Sequence, residues 1–263
     1  MADFNNIRLE QDMRGVATLT LNRPDKHHAF NAEMIAEMTE AAELLKSDEA
    51  VRVVVLAAEG PSFCAGGDLM WMKAQYDADR AGKITEATHL AMMLKAFHDL
   101  PKPVIARVQG QAFGGGLGLM AVADQVIAVD AARFALTETK LGLIPATIGP
   151  FVIAKIGGAK ARSVFITGSM MTAEQACHLG LVSHVVSRDG LDDAVAREVN
   201  NALKAAPGAM ARAKAMLRQI TSPNLDAEIA LAIDHLADCW ESEETQGGIA
   251  AFFDKTPPPW QKP

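Results

Sequence analysis

Val104-Ile105-Ala106-Arg107-Val108-Gln109-Gly110-Gln111-Ala112-Phe113-Gly114-Gly115-Gly116-Leu117-Gly118 decides the fold class of this chain. A short β-branched run framed by Pro101, Pro103 and Gly110 enters a glycine-rich turn, and a helical stretch follows over residues 115–123. Continuous apolar runs of this length suit strands buried on both faces, as in a parallel sheet flanked by helices. Residues 51–58 repeat the pattern: a second such run, the turn Glu59-Gly60-Pro61, then Ser62-Phe63-Cys64-Ala65-Gly66-Gly67-Asp68-Leu69. Residues 126–129 supply a third buried strand.

Upstream, residues 16–21 alternate as a half-buried strand does. Asn31 can cap a helix whose apolar side is Met34, Ile35, Met38, Ala42 and Leu45. A further helix is expected over residues 83–98. Strands alternating with helices predict an α/β architecture. Beyond about residue 159 helical patterns dominate, over 173–179, 191–203, 209–220 and 226–240. We therefore expect a core over residues 1–200 and a helical C-terminal region over 201–263. Pro257-Pro258-Pro259 cannot be helical and is expected to hang over a surface.

The 263 residues leave ample length for a buried core. Hydrophobic residues at 49% and charged residues at 22% match ordinary globular proteins. A formal charge of -7 argues against broad nucleic-acid or acidic-membrane binding, which needs a basic face. It leaves room for an anionic ligand held by local lysines and backbone amides. Cys64, Cys177 and Cys239 are too few and too scattered for a disulfide framework or a zinc site, and the seven histidines lack metal-ligand spacing. No apolar run has the length of a signal peptide or a membrane helix. The expectation is a cytoplasmic protein with no metal.

Each glycine-rich turn puts backbone without side chains where a strand ends and a helix starts, leaving N–H groups free at a helix N-terminus. Two such turns could offer two donors to one oxygen, an oxyanion hole. The glycines serve equally well to permit tight turns or close packing, and taken alone the turns do not choose. Neither fits the GxGxxG or GxxxxGK[ST] phosphate-binding patterns.

Lys26-His27-His28-Ala29-Phe30-Asn31, the turn over 63–69, the segment 103–118 and residues 134–145 occur in the order and approximate separations of the crotonase superfamily. The chain resembles that family over most of its length. The resemblance implies a spiral of ββα turns, a helical C-terminal trimerisation region, and an acyl-CoA thioester as partner, with assembly as a homotrimer or dimer of trimers. It implies no cofactor beyond the coenzyme A moiety of the substrate. The two amides that polarise the thioester carbonyl fall on Gly67 and Gly115. Lys26, Ala29, Ala65 and Leu69 match positions along the adenine and pantetheine path, although Lys26 reads equally as a solvated loop lysine.

Hydratases of this family that use two carboxylates carry a glutamate just after the second turn, where this chain has Gly118. The second glutamate matches Glu138. One carboxylate leaves two routes. Glu138 could take a proton from water and return it to Cα, giving hydration, or shuttle a proton between carbons, giving double-bond isomerisation. Out of context Glu138 would read as a surface residue paired with Lys140. Residues 117–119, 137–150 and 68–73 look like the bacterial branch assigned to methylglutaconyl-CoA and related branched glutaconyl-CoA hydratases of leucine or isoprenoid breakdown. Such substrates carry a distal carboxylate, for which Lys73 and Lys140 are candidate partners. Asp68 and Glu86 are the carboxylates that could replace the one missing at Gly118, although Asp68 reads better as a brace of its own turn. Met70, Met72, Met92, Met93, Met120 and Trp71 suit a core or an acyl pocket. Arg212, Lys214 and Arg218 read as a solvated face or a phosphate contact. A rival of another class is a catalytically silent CoA- or RNA-binding member, which a salt-insensitive null in a gel shift would remove on the RNA side.

Overall fold

A computed structural model describes residues 4–261. Its main sheet begins with the hairpin of β1 (Ile7–Gln11) and β2 (Val16–Leu21), turned at Gly15. Then come α1 (Ala32–Ser47) and β3 (Val53–Ala58), parallel to β2. After α2 (Leu69–Asp77) and α3 (Arg80–His98), β4 (Val104–Val108) pairs in parallel with β3. A two-residue strand β5 (Ala112–Phe113) and α4 (Gly115–Val122) lead to β6 (Gln125–Val129), parallel to β4. A short second sheet joins β5 to β7 (Arg133–Ala135), and β7 to β8 (Met171–Thr172). α5 (Gly149–Ile156) and α6 (Gly158–Phe165) lie between β7 and β8. α7 (Ala173–Leu179) then leads to β9 (His184–Val186), which completes the main sheet in the order β1-β2-β3-β4-β6-β9. Four helices follow: α8 (Leu191–Lys204), α9 (Pro207–Thr221), α10 (Leu225–Glu241) and α11 (Glu243–Asp254).

The expected α/β architecture and the strands at 51–58, 104–108 and 126–129 are present, each within two residues. All six residues of β3 are buried, as a strand with both faces covered requires. β2 departs from its expected half-buried character: only Thr18 is partly exposed, so both faces of the strand are covered. Asn31 caps α1 as expected, its side chain accepting the Met34 N–H at 2.9 Å. The expected division at residue 200 falls within α8, which packs across β3, β4 and β6.

One continuous apolar core runs through the sheet and its helices. A second, small cluster of Leu143, Trp240 and Ile249 sits apart from it and seats α10 and α11 against the segment that carries Glu138. Neither α11 nor a contact of the C-terminal proline run with the cavity is foreshadowed by the residue pattern. Pro259 packs where a Cβ on Gly247 would stand, 2.7 Å away, and Pro258 lines the central cavity. The tail thus lies largely exposed over the surface, as expected, while Pro258 also contributes to the cavity wall.

Candidate active site

The two glycine turns meet. Short parallel bridges join Phe30 to Gly67 and Cys64 to Ala112, so the turn after β3 lies beside the turn after β4. The Phe30 N–H donates to Gly66 O at 2.7 Å, Phe113 N–H to Cys64 O at 2.9 Å, and Gly114 N–H to Ala135 O at 3.1 Å. These bonds occupy the neighbouring donors. The Gly67 and Gly115 N–H groups have no protein acceptor among the described residues. Gly66 at φ +92° and Gly114 at φ +47° supply the backbone conformations that turn the next amide outward, conformations that L side chains rarely adopt. Gly115 is glycine for space as well, since a Cβ there would fall 2.8 Å from the buried Phe30 ring.

Both glycines line a cavity of about 550 Å³, a size suited to small-molecule sites. Ala65, Leu69 and Glu138 line it too. Lys26, which is exposed, and Ala29, which is buried, do not.

Glu138 opens a short 3-10 helix, Glu138–Leu141, just beyond β7. The turn is closed by the Leu143 N–H donating to Glu138 O at 3.0 Å, and by the Thr245 hydroxyl of α11 donating to Gly142 O at 2.6 Å. Its Oε1 comes within 3.2 Å of where a Cβ on Gly114 would lie, so the carboxyl stands beside the two free amides. Its Oε2 is buried without a partner. Burial pushes the carboxyl's pKa up to about 7, against the partial opposition of a backbone hydrogen bond. No other described carboxylate lines the cavity.

Gly118 is buried in α4 and outside the cavity lining. A Cβ there would stand 2.7 Å from Ile148 Cγ2 and 2.9 Å from Leu94 Cδ1. The place of the family's first glutamate is thus occupied by packed aliphatic side chains. Neither alternative carboxylate replaces it. Asp68 caps α2, accepting the Met70 N–H at 2.9 Å and pairing with Arg23 at 3.2 Å. Glu86 accepts the Trp71 indole N–H at 2.9 Å. Of the methionines considered, Met72 lines the cavity, Met93 and Met120 are core, and Met70 and Met92 are exposed. Lys214 departs from the solvated-face reading: it is tucked against Asp124 at 2.6 Å and Lys102 O at 2.8 Å, tying α9 to the start of β4. Cys64 is fully buried, its thiol pushed up to about 12 by desolvation.

Sequence reasoning missed Gln75, Lys83, Trp240 and Phe252 as cavity walls. The spacing of Lys83, Ala87 and Leu90 marks one face of α3, and all three line the cavity. That spacing could have signalled a wall, whereas nothing local marks Phe252. Among the described residues there is no cluster of three or more potential metal ligands, and no helix long and apolar enough to cross a membrane.

The family described as enoyl-CoA hydratase/isomerase matches residues 11–263. The chain belongs to that family. It is 32% identical to the 1,2-epoxyphenylacetyl-CoA isomerase of Escherichia coli, over 93% of this chain and 94% of that protein. It is 30% identical to the mitochondrial methylglutaconyl-CoA hydratase of Mus musculus, over 95% of this chain and 81% of that protein. Among solved structures it superposes on an enoyl-CoA hydratase from Shewanella pealeana with a TM-score of 0.80 and 36% identity, covering 98% and 96% of the two chains. The fold is therefore the crotonase fold. A hydratase and an isomerase at similar identity leave the reaction within the enoyl-CoA hydratase/isomerase family to be argued from the site itself.

Proposed function

We propose that the protein hydrates a 2-enoyl-CoA thioester with Glu138 as its only acid/base. The observation that carries this reading is one carboxyl with a buried, unpartnered oxygen beside two unoccupied backbone amides in a single cavity. Ionised Glu138 takes a proton from water as the oxygen attacks Cβ. The electron pair moves to the thioester oxygen, where the Gly67 and Gly115 N–H groups hold the enolate. Glu138 then returns the proton to Cα on the same face, a net syn addition. A pKa near neutrality suits a group that must act as base and then as acid.

The substrate we favour is a branched glutaconyl-CoA, as in leucine or acyclic isoprenoid breakdown. Ala65 and Leu69 would line the pantetheine path, with Lys26 and Ala29 at its outer end. The reading needs no cofactor beyond the coenzyme A of the substrate. It includes assembly through residues 201–263 as a trimer or dimer of trimers, and a cytoplasmic location.

A second reading, enoyl-CoA isomerisation by the same Glu138, is favoured by the aliphatic packing at Gly118, which leaves no second group to activate water. Offering a 2-enoyl-CoA and the matching 3-enoyl-CoA separately distinguishes them. Hydration removes the conjugated-thioester absorbance of the first. Isomerisation without hydration creates that absorbance from the second and would overturn our preference.

A further inference from the structure

The wall of the cavity beyond the amides carries unused polar capacity in an apolar setting. A Cβ on Gly67 would touch Met72 at 3.2 Å and Trp71 at 3.5 Å, so the start of α2 flanks the thioester position. One turn further along α2, about 5.4 Å, Gln75 lines the same cavity. It is 7% exposed, and its Oε1 is buried with no hydrogen-bond partner. Lys83 lines the cavity from α3, where it shares a face with Ala87 and Leu90. No described carboxylate lies within ion-pair distance of Lys83, and its ammonium stands 6.0 Å from the Trp240 ring centroid. Glu86, one turn along α3, is engaged instead by the Trp71 indole at 2.9 Å and by His89 at 3.4 Å. The two cations named from sequence serve less well. Lys73 pairs with Asp77 at 2.9 Å outside the cavity lining, and Lys140, which also lines the cavity, is exposed where Lys83 is half-buried.

We infer that Lys83 binds a carboxylate at the far end of the acyl chain. An ammonium near an indole ring, with no described carboxylate to neutralise it, suits an anionic terminus and disfavours an alkyl one. This assignment rests on the cavity being the acyl-CoA site but not on which reaction Glu138 performs.

The test is binding of two unreactive thioesters of equal chain length, glutaryl-CoA and valeryl-CoA, by titration calorimetry to the full-length protein. The wild type is expected to bind glutaryl-CoA about tenfold or more tightly, the worth of one charge-assisted hydrogen bond. Lys83→Met is expected to bring the ratio of the two dissociation constants close to one, and Lys83→Arg to retain most of it. Equal binding by the wild type, or a preference that survives Lys83→Met, overturns the inference. A glutaryl-CoA preference in a protein that hydrates no 2-enoyl-CoA would sink the proposed reaction and leave this assignment standing.

Discussion

The two ends of the cavity are built differently. The amides of Gly67 and Gly115 stand where β3 and β4 run out into turns, cross-linked by backbone bonds and seated on the main core. The far end is walled by side chains of α2, α3, α10 and the C-terminal tail, around a cluster with only three buried members. A carbonyl oxygen whose charge develops at one point needs donors fixed in place, which backbone in a sheet-anchored turn provides. An acyl group that differs between relatives needs only shape and a few polar contacts, which helices joined to a small satellite core can vary. Glu138 belongs to both ends, for it follows β7 but its turn is clasped by Thr245 of α11.

Damage at the backbone end should cost most. Gly115→Ala pushes a methyl into Phe30 and displaces the amide, so kcat is expected to fall about 10²–10³-fold, the usual worth of an oxyanion donor, with a smaller change in KM. Steady-state kinetics on crotonyl-CoA would check this, and a loss confined to KM would mean that the Gly115 amide binds substrate without stabilising its enolate. Gly118→Glu should restore nothing. It forces a charged chain between Ile148 and Leu94 and is expected to destabilise the fold by about 2–4 kcal/mol in urea denaturation. A stable, more active Gly118→Glu variant would mean that the aliphatic packing yields easily.

The pH profile comes next. With the Glu138 pKa raised to about 7, kcat/KM should rise about tenfold per pH unit below that value and level off above it. Stability runs the other way. The unfolded carboxyl ionises near 4.5 and the folded one near 7, so the folded state holds the extra proton between those values. The penalty for burying the charge is absent below 4.5, grows as pH rises, and is complete above 7, reaching about 3 kcal/mol. Glu138→Gln should therefore be the more stable protein at pH 8. The mildest change is Thr245→Val, which removes one hydrogen bond between α11 and Gly142, for an expected loss of about 1 kcal/mol and a modest fall in kcat. An effect on KM alone would place α11 with the acyl wall rather than with Glu138.

The same contrast explains what the sequence made legible. Glycine-rich turns that follow buried strands are visible locally, but it is the family pattern that singles out the amides of Gly67 and Gly115 within them. Glu138 was found only through its position in a family pattern, because its chemistry comes from burial that no neighbouring residue encodes. Lys83, Trp240 and Phe252 come from segments far apart in the chain and meet only when α3, α10 and α11 pack. Gly118 shows the limit most clearly. The sequence reveals a missing carboxylate, but only the packing of Ile148 and Leu94 reveals that its place has been filled.

The most direct test of single-glutamate hydration follows the conjugated-thioester absorbance of 3-methylglutaconyl-CoA with wild type and Glu138→Gln side by side, folding being verified by circular dichroism. The account predicts rapid loss with the wild type and a rate at least about 10³-fold lower with the folded variant, within the range for removing a proton-transferring group. A folded Glu138→Gln protein that keeps more than about a tenth of the wild-type rate would contradict it, since general acid–base catalysis contributes at least about 10²-fold where it operates.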